Sequence, residues 1–181
     1  MKSLRFVALL AAPLLLAASA VAVACGGGGG GASAEEYFAD LQTLHYDMDS
    51  RVDTLIEDSG AAFDPSLSDE ERLEAGRRFG DGFVSLLTFA SDELGKLDPP
   101  SEVEDAHNEF LQALGDLRDE AQRAADGARE AESAAELQAL FEDNPEFDAV
   151  DARVKEACKA LQEAASSKGI EVDLTNLQCE G

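Results

Sequence analysis

The chain has 181 residues, of which 38 are Asp or Glu and only 14 are Lys or Arg, giving a formal net charge of −24. A surface this acidic repels phosphate backbones and anionic headgroups, which excludes nucleic acid as a partner and argues against binding to lipid through charge. The length suits one domain with a real core, and after the N-terminal apolar run no segment approaches the roughly 18 apolar residues needed to span a bilayer.

Residues 1–24 have the anatomy of an export signal. Lys2 and Arg5 lead, an apolar stretch runs from Phe6 to Ala20, and the small residues Ala22, Val23 and Ala24 stand just before Cys25. Ala22-Val23-Ala24 also satisfies the small-x-small pattern of ordinary secretory cleavage, so the residue that follows decides between two kinds of processing. Ala-Val-Ala-Cys followed by a glycine run resembles the lipobox of bacterial lipoproteins, with Ala22 where that box usually carries Leu. The resemblance implies that the Cys25 thiol receives a diacylglycerol, that the signal is cut before it, and that the new amino terminus is acylated. Two or three chains acting together make a durable membrane anchor, because each buried methylene adds about 0.8 kcal/mol. The expected location is the bacterial cell envelope, on the extracytoplasmic side of a membrane.

Three cysteines are present, and an odd thiol in an exported chain needs an explanation. Lipidation of Cys25 supplies it and leaves Cys158 and Cys179 as one pair. In an oxidising compartment their disulfide closes a loop of roughly 20 residues and contributes about 3 kcal/mol by the chain-entropy estimate. A zinc site would need more ligands than two cysteines and two scattered histidines supply.

Residues 25–33 are read as the lipidated cysteine and a glycine-rich tether, Gly26 to Gly31 offering no side chain to a core; a coil of this length reaches on the order of 15–20 Å. A phosphate-cradling loop is the alternative for such glycines. Such a loop sits between a strand and a helix and usually carries a Lys or a defined spacing, and that pattern is not met here.

Residues 34–181 are read as one all-α domain. Apolar or small residues recur at spacings of three and four in four stretches, each marking one face of a helix. The first runs through Phe38, Leu41, His45, Met48, Val52 and Leu55, and the second through Leu73, Gly76, Gly80, Phe83, Leu87, Ala90, Leu94 and Leu97. The third takes in Val103, His107, Phe110, Leu114, Leu117, Ala121 and Ala124, and the fourth Phe147, Val150, Val154, Ala157, Leu161 and Ala164. Ser68-x-x-Glu71 and Ser133-x-x-Glu136 read as capping boxes, Asn144-Pro145 as a helix start and Lys168-Gly169 as a helix end. Asp98-Pro99-Pro100-Ser101 separates the second and third helices, and a short extra helix from Ser133 to about Asp143 precedes the last long one. The expected fold is an antiparallel four-helix bundle with a disulfide-pinned C-terminal tail, held down by Ile170, Val172, Leu174 and Leu177.

Gly76, Gly80, Gly82 and Gly95 each cost about 1 kcal/mol relative to Ala if they lie inside a helix, so something must offset them. Close packing against a neighbouring helix is one explanation and a kink or groove beside a ligand is the other.

Both histidines fall on apolar faces. Glu104-x-x-His107 matches half of the Glu-x-x-His signature of di-iron bundles, but the stretch before His45 reads Gln42-Thr43-Leu44, with Gln where the carboxylate belongs. The simpler reading is a buried polar cluster, His45 and His107 sharing a layer with Glu104 or Asp49 as hydrogen-bond partner. No nucleophile elbow or other catalytic arrangement stands out, so no catalytic residue and no cofactor are assigned.

In its anchor, glycine tether, helical body, Pro-Pro-Ser-Glu-Val-Glu-Asp-Ala-His segment at 99–107 and Cys-bearing tail, the chain resembles a set of bacterial lipoproteins with no assigned activity. The resemblance implies location and architecture and no chemistry. The expected function is that of a non-enzymatic, lipid-anchored extracytoplasmic domain that binds an envelope protein or a small ligand. The alternative is a metal or small-solute binding bundle using His45, His107 and Glu104.

Overall fold

The computed structural model describes residues 32–142, 144–172 and 174, and among these every regular element is helical. The elements are α1 (Ala34–Ser59), a 3₁₀ turn (Gly60–Phe63), α2 (Asp69–Leu94), α3 (Glu104–Glu130), a short α4 (Ala134–Glu142) and α5 (Pro145–Ser167). The four stretches of helical periodicity correspond to α1, α2, α3 and α5, and the extra helix before the last is present.

Helix ends follow from side chains that satisfy otherwise unpaired backbone groups. At the start of α2 the Ser68 hydroxyl accepts from the Glu71 N–H at 3.4 Å, and the Glu71 carboxylate accepts from the Ser68 N–H at 3.0 Å. The same reciprocal box stands at Ser33 and Glu36 and begins α1 directly after the glycine run. The box expected at Ser133 is half formed: Ser133 caps the Glu136 N–H at 3.2 Å, but the Glu136 carboxylate reaches the N–H of Glu132. Asn144 accepts from the N–H groups of Glu146 and Phe147 with Pro145 at the first helical position. At the other end of α5 the N–H of Ile170 bonds the carbonyl of Ala165 and that of Gly169 the carbonyl of Ser166, with Gly169 at φ 73. This is the Schellman arrangement, and its left-handed residue explains the glycine.

Packing runs α1 against α2, α2 against α3 and α3 against α5, with α4 lying on α2 and α3. Cross-helix contacts fix which parts meet. Arg51 lies over the Phe89 ring at 3.7 Å, Asp81 pairs with Arg129, Asp116 with Arg153, and Glu102 with Lys168 at 3.0 Å. The main core contains Phe38, Leu41, Leu94, Phe110, Cys158 and Leu161, all nearly inaccessible. Ile170 and Val172 pack on it and Leu174 is fully buried within it, so the C-terminal segment is held down as far as it is described. Leu177 and Cys179 lie outside the described residues.

A second, smaller core sits where α4 and the 3₁₀ turn close one end of the body. It is built from Ala62, Ala75, Ala124, Ala128, Leu137 and Phe141. Here the glycines of α2 find their explanation. A Cβ on Gly76 would meet the Leu137 side chain at 2.2–2.9 Å, and one on Gly80 would stand 3.0 Å from Cα and Cβ of Ala125 in α3. Gly82 likewise receives Leu55. The glycines therefore admit neighbouring helices. Gly95 differs from the expectation, since α2 stops at Leu94 and Gly95 is its C-cap; the stripe as far as Leu97 continues over two tight turns, Lys96 N–H to Glu93 and Leu97 N–H to Leu94.

Helix propensity alone predicts that Gly→Ala stabilises α2 and α3 equally. The packing predicts a split: Gly76→Ala should lose about 1–3 kcal/mol because Leu137 has nowhere to go, whereas Gly115→Ala in α3, whose added methyl meets nothing within 4 Å, should gain up to about 1 kcal/mol. Urea unfolding of the two variants measures both signs.

Candidate functional site

Among the described residues four polar side chains are buried: His45, Ser59, His107 and Glu120. Ser59 bonds back to the Leu55 carbonyl of its own helix. The other three show what the interior can do chemically.

His107 sits on the inward face of α3, 4% exposed, with its Nδ1 3.0 Å from the hydroxyl of Tyr37 on α1. The rings meet edge to face with centroids 5.7 Å apart. Burial pushes the Tyr37 hydroxyl well above its ordinary value, so it stays protonated and donates; Nδ1 accepts, which leaves the imidazole proton on Nε2. Burial also holds His107 below the usual imidazole range. The negative charge of exposed Glu104, one turn away, acts in the opposite sense and does not overcome it.

His45 lies elsewhere. Eight residues, about 12 Å of helix, separate it from Tyr37 along α1, so His107 is paired with Tyr37 and not with His45. Nε2 of His45 is 3.9 Å from Asp49, and its Nδ1 is buried without a hydrogen-bond partner. The expected pairing of histidines in one layer with a shared carboxylate is replaced by two separate arrangements. Among the described residues no three His, Cys, Asp or Glu side chains converge where a metal could be held.

Glu120, 3% exposed, was not singled out by the sequence reading. Its carboxylate accepts from Arg123 and from the Asn144 side-chain amide at 3.0 Å, while Asn144 caps α5 with its other end. One carboxylate thus ties the middle of α3 to the start of α5. Residue 120 lies beside Leu117, Ala121 and Ala124 on the third apolar stripe, and that position was the available signal. Tyr37 was also missed, although Tyr37, Leu41, Leu44 and Met48 make a regular helical stripe.

The surface offers a shallow depression of about 160 Å³ between α3 and α5, lined by Glu109, Gln112, Asp116, Arg153 and Glu156. It is smaller than the several hundred Å³ typical of small-molecule pockets. The outer face of α1 carries Asp40, Asp47, Asp53, Glu57 and Asp58, none in an ion pair with a described residue, and Tyr46 stands among them 49% exposed. Cys158 is fully buried in the main core, whereas Cys25 and Cys179, with residues 1–31, lie outside the described residues. No described helix is long and apolar enough to cross a membrane.

No family model matches this chain, and neither the curated proteins nor the solved structures include a matching relative. No family or relative therefore points to catalysis.

Two measurements test these assignments. His45→Leu removes an unpartnered buried nitrogen and should raise stability by about 1–2 kcal/mol at pH 7, whereas His107→Leu leaves the Tyr37 hydroxyl unpaired and should lower it by a similar amount. The second concerns pH. Because the folded protein disfavours protonation of His107, the unfolded chain takes up the proton first, so this contribution is whole above about pH 6.5 and is lost as pH falls through the lower folded value. Tyr37→Phe combined with His107→Leu should flatten the fall in melting temperature between pH 7 and 5 relative to wild type.

Proposed function

We propose that the protein is a non-enzymatic, lipid-anchored extracytoplasmic domain, attached to a bacterial envelope membrane through Cys25 and presenting its acidic helical body to an envelope protein. The observation that carries this reading is the position of Ser33. The capping box there starts the folded body eight residues after Cys25, so cutting and acylating the chain at Cys25 touches only residues outside the helical body. A modification site inside α1 would have put acyl chains into the core. The interior adds support from the other side: among the described residues the pairs Tyr37–His107 and Glu120–Asn144 tie helices together, and the depression between α3 and α5 is smaller than a typical small-molecule pocket.

The same reading takes the four long helices as an up-and-down, antiparallel bundle. Support comes from the order of cross-helix contacts. Arg51 and Leu55 of α1 meet Phe89 and Gly82, Asp81 and Gly95 meet Arg129 and Leu111, and Glu102 and Asp116 meet Lys168 and Arg153, so ascending numbers on one element face descending numbers on the next.

Cys25→Ser should abolish acylation and release the protein from the membrane fraction while leaving the melting temperature of the helical body within about 2 °C of wild type, a shift of well under 1 kcal/mol for a domain this size. Intact-mass analysis of the N-terminal peptide and fractionation are the measurements. Retention of the Ser variant in membranes at wild-type levels would sink the anchor, and stoichiometric zinc or iron in the purified protein would favour a metal-binding bundle instead.

A further inference from the structure

No helix-breaking residue separates α3 from α4. Across 128–142 there is neither Gly nor Pro, and apart from Ser133 and Phe141 every residue is a strong helix former, so local preference favours one helix over 104–142. The chain nonetheless breaks at 131–133, where Ala131 turns to ψ 134. Side chains hold that break. The carbonyls of Ala128 and Ala131, which a continuing helix would bond to the N–H groups of Glu132 and Ala135, accept instead from Arg77 of α2 at 3.3 and 3.4 Å. The Glu132 N–H donates to the Glu136 carboxylate, and Ser133 caps the Glu136 N–H.

The phase of the apolar residues explains why the break forms against local preference. Leu137 lies nine residues beyond Ala128, about two and a half turns, so in a continuous helix Leu137, Leu140 and Phe141 would point away from the buried alanine face of α3. Folding α4 back buries them. Leu137 fills the space of a Gly76 side chain and Leu140 that of Gly127, while Phe141 reaches Gly80.

We propose that 131–133 is a hinge for reciprocal exchange between two copies of the chain: 104–142 becomes one helix, α4 and α5 swing out together, and each copy's α4 seats in the glycine-lined groove of the other. α5 moves with α4 because, in the continuous helix, residue 142 stands twenty-two residues past Glu120, about 33 Å, beyond the bond that Asn144 makes to that carboxylate. A second copy is the occupant that fits the groove, since it presents the same two leucines and phenylalanine to the same glycines. Charge agrees with this. The pairs Asp116–Arg153 and Glu102–Lys168 join α3 and its lead-in to α5, and both re-form between copies. Each hinge exchanges its side-chain bonds for backbone ones, and the contacts on either side of it are kept.

The test mixes light and heavy-nitrogen full-length protein, purified in detergent, at high concentration and in high salt, which screens the repulsion between two acidic chains. The mixture is opened in mild urea and returned to buffer, and size exclusion separates monomer from dimer. A carbodiimide then joins the Glu102 carboxylate to the Lys168 amine, 3.0 Å apart. In the dimer about half of the joined peptides should link a light chain to a heavy one, and in the monomer none should. Glu132→Pro forbids the continuous helix, yet its site is exposed and follows an extended Ala131, so the closed form accepts it; the dimerisation constant should fall at least about a hundredfold. Arg77→Ala and Ser133→Ala each remove part of what holds the break, and each should raise that constant at least about tenfold. The isotope readout on the wild type stands whatever the stability of the variants. No dimer from the wild type, a dimer carrying only like-isotope links, or a dimer as tight in Glu132→Pro as in the wild type would overturn the exchange.

Discussion

The approach of α2 to α3 at Gly80 and Ala125 sets the spacing of the helical body, because no side chain longer than a methyl group separates the two backbones there. α3 is suited to this position. Ala113, Ala121, Ala124, Ala125 and Ala128 are all buried, so α2, α4 and α5 can each come close to it. Alanine burial contributes little free energy by itself. The larger contributions come from Phe38, Leu94, Phe110 and Leu161, each worth about 1.5–3 kcal/mol when fully buried, and they can interdigitate because the small residues fix how far apart the helices stand. At the far end the same logic is repeated with Gly76 and Leu137, where a short helix is seated by a missing side chain.

Long apolar stripes made the four principal helices legible in the sequence, and their caps were legible because Ser-x-x-Glu and Asn-Pro state a local hydrogen-bonding problem and its solution together. The Ser33 box was equally legible and was overlooked because the glycine run before it drew the boundary by composition. The glycines of α2 were legible as a cost but not as a contact. Nothing in the spacing of Gly76 says that Leu137, sixty-one residues later, fills the space, since that depends on how α4 folds back. The same limit applies to Tyr37 and His107. Each could be placed on an inward face, but that they are partners depends on the relative rotation of two helices, which one-dimensional periodicity does not encode.

Two of the buried polar groups have a common form. Each answers a polar atom on one helix with a polar atom on another, Tyr37 to His107 and Glu120 to Asn144, and such bonds discriminate among the many ways apolar stripes could slide past one another. Ser59 bonds within its own helix, and His45 has one nitrogen near Asp49 and the other unpaired. It sits where the burial of α1 gives way: beyond Met48 the helix keeps only partly buried apolar residues, Val52, Leu55 and Ile56, before Ser59 at its end. Half of α1 is therefore firmly packed and half is held more lightly.

That lightly held half carries most of the unpaired carboxylates of the outer face, Asp53, Glu57 and Asp58, with Arg51 committed to the Phe89 ring. Mutual repulsion among them works directly against docking of the helix. Dissolved ions shorten the range of that repulsion to about 10 Å at 0.1 M and about 3 Å at 1 M. Ionic strength should thus act on this helix: dilute buffer is expected to loosen the C-terminal half of α1 and salt to tighten it, the reverse of what a surface held by exposed ion pairs would do.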